Sequence, residues 1–150
     1  MKKKRNLNQN NIVNKYLSLT KSKLTKLNRS ITGKETLKLL NIIKKEFKLL
    51  KIHKIRSGKK VFDWKIPSEW NVKEAYIIDK FNNKIIDLKN NNLHLVGYSE
   101  PINKTLNKKK LLPYLHSLPN QPGAIPYVTS YYRKNWGFCI TENQKKKIKK

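Results

Sequence analysis

Residues 50–70 read LKIHKIRSGKKVFDWKIPSEW, and the change of character inside this stretch decides the fold. Before it the first 58 residues carry no proline, and all six prolines (Pro67, Pro101, Pro113, Pro119, Pro122 and Pro126) follow residue 66. Leu50, Ile52 and Ile55 predict a strand, and Ser57-Gly58 supplies the turn that ends it.

Towards the N-terminus the period is helical. Ile12, Val13, Tyr16, Leu17, Leu24, Leu27 and Ile31 recur at three- and four-residue steps and predict one apolar stripe. A second helix is expected from Thr32, because Thr32-Gly33-Lys34-Glu35 has the spacing of a capping box. Its inner face would be Leu37, Leu40, Ile43 and Phe47, with Lys44, Lys45 and Lys48 outside. The two helices predict a hairpin.

Towards the C-terminus the period shortens to that of strands. Residues 61–64, 73–78, 85–88 and 94–97 are short runs rich in β-branched and aromatic side chains. Asn82-Asn83 suits the positive φ of a tight hairpin, and 90–92 is a run of asparagines that punctuates the chain. A short helix is expected over 107–115, ending near Pro119, and two further strands over 127–132 and 137–141. The class is α+β: a helical hairpin and strand over 10–57, then a mainly β domain over 59–142. Residues 1–9 read as a disordered basic tail and 143–150 as a lysine-rich end.

Composition narrows the function. The 150 residues hold 35 Lys and Arg against 9 Asp and Glu, a formal charge of +26, with 37% hydrophobic residues. That is enough apolar material for a core, so disorder throughout is excluded. No apolar run approaches the roughly 18 residues of a membrane span, and the opening residues lack the apolar stretch of a signal peptide. A cytoplasmic location and no membrane partner are the expectations, and a single cysteine, Cys139, agrees with a reducing compartment. The charge points to a polyanion, but nearly all of it is Lys. Arg is found only at 5, 29, 56 and 133, whereas bidentate phosphate contacts favour Arg. Lys, Asn and Ile are also the residues of A/T-rich codons, a second account of the charge that needs no ligand and stands beside the first.

No self-contained active site is legible. Lys34 follows Gly33 as in a phosphate loop, but Asn28 stands where the first glycine belongs and Glu35 where the metal-binding hydroxyl belongs. His53, His94 and His116 have no partner at metal-ligand spacing. Asp63 and Glu69 flank Trp64, and sequence spacing does not bring them face to face as glycoside hydrolysis needs. Cys139, next to Trp136-Gly137-Phe138, reads as buried and inert. From 118 to 139 the prolines and aromatics predict an irregular, aromatic-rich surface.

A series of short motifs carries a resemblance. Arg29-Ser-Ile-Thr-Gly33, Val61-Phe-Asp-Trp64 with Ile66-Pro67 and Glu69-Trp70, Asn92-Leu-His94, Gly97-Tyr-Ser-Glu-Pro101, Leu118-Pro119 with Gln121-Pro122, Ile125-Pro-Tyr127, Thr129-Ser-Tyr-Tyr132 and Asn135-Trp-Gly-Phe-Cys139 follow in that order. Over about residues 28–143 the chain resembles the bacterial zinc aminopeptidase-like family grouped under domains of unknown function 2172 and 4910, some members of which are named for polysaccharide biosynthesis. The resemblance implies a larger parent with an α/β/α exopeptidase core, a mainly β domain inserted after the first core strand and a winged-helix domain at its end. Residues 10–57 would open the core and 59–142 form the insert. The family's metal-binding motifs lie beyond this chain, so no metal ligand and no catalytic residue carries over. The expected cofactor is none in this chain and zinc in a full-length relative. Two departures are Asn28, where relatives place Cys, and Gly123, where an acidic residue is common.

The resulting expectation is an N-terminal fragment of an aminopeptidase-like zinc hydrolase, inactive alone, whose parent acts on a peptide or peptide-like substrate. Substrate contacts would come from Arg29, towards a carboxylate or phosphate, and from Tyr131, Tyr132 and Trp136 as lining or stacking groups. The alternative is a stand-alone basic module holding RNA or another polyanion through Lys.

Overall fold

In a computed structural model the described residues are 2–131 and 133–149, with side chains described for 9–131 and 133–148. The chain divides into two compact units, one ending at His53 and the other beginning at Lys54.

In the first unit α1 spans Lys2–Leu19 and runs on into a π-type turn, Thr20–Leu24. It begins inside the stretch read as a tail, whose Lys, Arg, Leu and Gln are good helix formers. The second helix, α2, spans Lys34–Glu46. The expected hairpin is present: Lys15 Nζ lies 2.5 Å from the Glu46 carboxylate, and the Tyr16 and Phe47 rings stack at 5.8 Å. Leu27, between the helices, is buried. The start of α2 corrects the expectation. Gly33 occupies the N-cap with φ 134°, outside the helical basin, so the helix opens after the glycine and not at Thr32. Leu37, Leu40 and Ile43 are only half-buried, while Ile12, Val13, Leu17, Phe47 and Leu49 stay exposed.

The predicted strand at Leu50, Ile52 and Ile55 does not form. A strand exists only as half of a ladder, and among the described residues no backbone hydrogen bond ties 51–55 to another segment.

Among its described residues the second unit holds three two-stranded sheets. β1 (Lys60–Val61) and β2 (Trp64–Lys65) are antiparallel, with Lys60 opposite Lys65 and Val61 opposite Trp64. The apolar run read as one strand is therefore a hairpin whose two-residue turn is Phe62-Asp63, with Phe62 at φ 54°. β3 (Tyr76–Ile78) and β4 (Lys84–Asp87) form a second hairpin. Asn82 supplies the expected positive φ of 66°. Asp79 fastens its turn by accepting from the Phe81 and Asn83 amides, both at 2.9 Å. Ile77 faces Ile86 and Ile78 faces Lys84, which leaves Ile85 as a bulge.

The third sheet, β5 (Leu115–His116) with β6 (Phe138–Cys139), is parallel. Around it lies the core: Ile86, Leu115, Phe138 and Ile140, packed against Ala75, Ile77, Leu111, Leu112, Trp136 and Ile148. Residues 94–97 are not a strand. They follow a 3-10 turn at Asn92–His94 capped by the Asn91 side chain, and only Leu95 and Gly97 make bridges, to Phe138 and Thr129. That Gly97 bridge is also all the pairing that 127–131 achieves, so a full strand is absent there as well.

The helix expected over 107–115 splits into α3 (Lys108–Leu111), capped by Asn107, and a 3-10 turn at Leu112–Tyr114 that contains Pro113. At the end of the chain, α4 spans Glu142–Lys149. Thr141 and Gln144 cap it reciprocally, the Gln144 side chain accepting from the Thr141 amide at 2.8 Å and the Thr141 hydroxyl from the Gln144 amide at 3.0 Å.

Candidate functional site

Arg29 lies in the connection between α1 and α2, exposed, where it belongs to the first unit. Tyr131 and Trp136 belong to the second unit, and Tyr132 lies outside the described residues.

The aromatics of the second unit form two separate contacts. Trp136 stacks flat on Tyr114 with centroids 3.9 Å apart, at the edge of the core. Tyr131 meets Tyr98 edge-on at 5.3 Å, and Tyr98 stacks on Trp70 at 5.6 Å. Trp70 is anchored in turn, its indole N–H donating to the Ser99 carbonyl at 3.0 Å. Tyr98 and Tyr131 both sit at positive φ, 64° and 42°, a conformation that costs a β-carbon-bearing residue roughly 1–3 kcal/mol and persists only where neighbours over-determine it. The neighbours here are the Gly97–Thr129 bridge and the Ser130 amide donating to the Gly97 carbonyl at 2.9 Å. The approach is close at Gly97, where a β-carbon would meet the Thr129 hydroxyl at 3.1 Å and push that side chain aside. Of the aromatics expected over 118–139, Tyr131 joins this cluster and Trp136 the other contact, while Trp70 and Tyr98 lie outside that stretch. Their signal was the Gly97-Tyr98-Ser99 stretch, where a bulky residue follows a glycine at a tight corner.

The polar groups beneath this corner are packed rather than poised. His94 is buried and its Nδ1 lies 2.8 Å from the Cys139 carbonyl, which it satisfies. The Cys139 thiol is pushed up to about 11 by burial, so it is neutral and unreactive at neutral pH. The Ser117 hydroxyl donates to the buried Glu142 carboxylate at 2.7 Å, and Lys145 donates to the Leu115 carbonyl at 2.5 Å. These contacts seat α4 on β5. Asp63 stays exposed in the β1–β2 turn, and exposed Glu69 accepts from Asn71, so the pair is not arranged across a common cleft. A catalytic zinc needs three protein ligands around an open position. Among the described residues no group of three His, Cys, Asp or Glu can hold a metal, so the residues present do not fit that centre. Among them, too, no helix is long and apolar enough to cross a membrane.

The helices and small sheets of the described residues match part of a known kind of protein, the peptidase-like proteins. A crystal structure described as a "putative peptidase" from Clostridium acetobutylicum superimposes with a TM-score of 0.79 at 43% identity, covering 89% of this chain and 34% of that one. Residues 69–150 match the family described as Domain of unknown function (DUF2172), and the chain belongs to that family. A curated relative, "Putative polysaccharide biosynthesis protein with aminopeptidase-like domain" from Clostridium acetobutylicum, is 50% identical over 116 residues, 77% of this chain and 26% of the relative. The chain therefore spans about a quarter of the length of that relative and a third of the crystallised one.

Proposed function

We propose that this chain is the N-terminal portion of an aminopeptidase-like zinc hydrolase: residues 10–57 open the α/β/α core and 59–142 form an inserted, mainly β domain that shapes the substrate cleft. The observation that carries the reading is the close superposition on one third of a larger peptidase-like chain. The exposed apolar residues of α1 and the strandless 51–55 segment support it, since both are what an unfinished α/β core would leave uncovered. Membership of the second domain-of-unknown-function family belongs to the same proposal.

In that role the chain supplies contacts and the metal-bearing remainder supplies chemistry. Zinc would polarise the scissile carbonyl and activate water. Arg29 would offer a guanidinium fork to a carboxylate or phosphate of a peptide-like substrate, and Tyr131, Tyr132 and Trp136 would line the cleft. The chain alone would neither retain zinc nor hydrolyse peptides.

The test has two parts. The purified chain, incubated with zinc, is dialysed for metal analysis and assayed on aminoacyl anilides; no stoichiometric metal and no turnover are expected. The chain is then substituted for the matching third of the Clostridium acetobutylicum relative, and the chimera is expected to keep whatever peptidase activity that relative shows. Stoichiometric zinc with turnover by the chain alone overturns the proposal. So does a folded but inactive chimera of an active relative.

A further inference from the structure

The β1–β2 hairpin carries a phenylalanine where turn chemistry calls for Asn, Asp or Gly, and the β3–β4 turn carries an exposed one beside Asn82, which supplies the positive φ there. Phe62 is the first turn residue between β1 and β2, at φ 54° and 93% exposed. It therefore breaks two rules at once, a backbone rule and a burial rule. Phe81 sits in the β3–β4 turn, 72% exposed, with its amide donating to the Asp79 carboxylate. Neither ring contributes to the core around Leu115 and Ile140. Rule-breaking at a turn that the fold does not need marks a place where something other than folding selects the residue.

The surroundings give the chemistry of the partner. Lys59, Lys60 and Lys65 flank Phe62, against the single carboxylate of Asp63, and all are exposed. Lys80 lies beside Phe81 with its ammonium 4.9 Å from the ring centroid, whereas Lys84 is paired with Asp87 at 3.2 Å and the Asp79 carboxylate sits in the same turn, so the lysine-ringed tip is that of Phe62. An apolar tip ringed by ammonium groups is complementary to a surface that is anionic outside and apolar just beneath. We infer that the Phe62 and Phe81 hairpin tips dock this protein on an anionic phospholipid surface, the rings entering the acyl boundary while the lysines meet headgroup phosphates. A protein partner fits less well, because seating the Phe62 ring in a protein pocket would carry Lys59, Lys60 and Lys65 out of water against the one carboxylate of Asp63. A single-stranded nucleic acid would stack bases on ring faces, and Lys80 already covers a face of Phe81.

This inference does not depend on the hydrolase reading, and vesicle flotation tests it with the chain as it stands. At roughly physiological salt, binding is expected to phosphatidylcholine vesicles containing phosphatidylglycerol and not to phosphatidylcholine alone. Phe62→Asn and Phe81→Asn are each expected to weaken binding about tenfold, the transfer cost of one buried ring, with charge unchanged. Thermal melting checks that the variants are folded. Should Phe81→Asn fail to fold, Trp64, beside the first tip, supplies an independent readout: bromine-labelled lipids should quench the wild type, and Trp64→Phe should remove the quenching. Equal binding by wild type and the double variant would show adsorption by charge alone and overturn the inference. Absence of binding to anionic vesicles, absence of quenching, or an RNA oligonucleotide that requires the same two rings would overturn it as well.

Discussion

At the scale of single residues, Phe62 shows what a turn costs when its residue is chosen against its backbone. A β-carbon in the left-handed region costs roughly 1–2 kcal/mol, and Asn is among the side chains that tolerate it best. Phe62→Asn is thus expected to raise the free energy of unfolding by about 1 kcal/mol, read as a higher urea midpoint with an unchanged slope. The hairpin was hidden in the sequence because Val61, Phe62 and Trp64 supply three strand-favouring side chains and no glycine or asparagine. The Asn82 turn, with the expected residue in the expected place, was legible. So was the inertness of Cys139, which its apolar neighbours announce. Gly137 was not. Its missing β-carbon would lie 2.9 Å from the Tyr114 carbonyl and 3.1 Å from His116 Nε2, contacts that arise only once distant segments meet.

Two helix starts with the same signature show where local rules end. Thr32-Gly33-Lys34-Glu35 and Thr141-Glu142-Asn143-Gln144 both have a hydroxyl three residues before a Glu or Gln. The second forms the reciprocal cap of α4, while the first has a glycine inside it that adopts φ 134° and defers α2 to Lys34. The sequence reading selected the first and passed over the second, because the lysine run after Gln144 reads as a solvated tail. Ile148, in contact with the core, and the Ser117–Glu142 and Lys145–Leu115 hydrogen bonds are the tertiary contacts that hold α4 as a helix. Thr141→Ala is expected to cost about 1 kcal/mol, seen as a lower melting temperature together with loss of helical ellipticity.

Over the whole molecule the α+β class was legible, because the hydrophobic period changes from helical to strand-like along the chain. Of the Trp70, Tyr98 and Tyr131 cluster only Tyr131 was legible, since its members come together from three separated segments through backbone bends that no periodicity encodes. Stability as a function of pH also belongs to this scale. Burial, and then the nearby Lys145 charge, lower the pKa of His116 below its ordinary value. The folded state thus favours neutral imidazole, and the unfolded chain binds the proton more readily. The stabilisation is complete above the ordinary imidazole value of about 6.5 and is lost as pH falls from there through the lowered folded value. Thermal melts are expected to show a melting temperature that declines over this window and a flatter profile in His116→Asn. Still more acidic solution removes the contribution of Asp79 and Asp87, whose carboxylates are held below their usual range chiefly by backbone N–H donors.

The strandless segment at 51–55 has a consequence for the protein in concentrated solution. Its amides and carbonyls have no ladder partner within the described residues, and Leu50, Ile52 and Ile55 alternate along it with lysine and histidine. Such a segment is a template for strand addition from a second molecule, the hazard that folded proteins blunt with charge. Lys51, Lys54 and Arg56 provide that charge here. Their repulsion is screened as salt rises, so added salt should favour intermolecular pairing at this segment and turn a disperse preparation into one that self-associates.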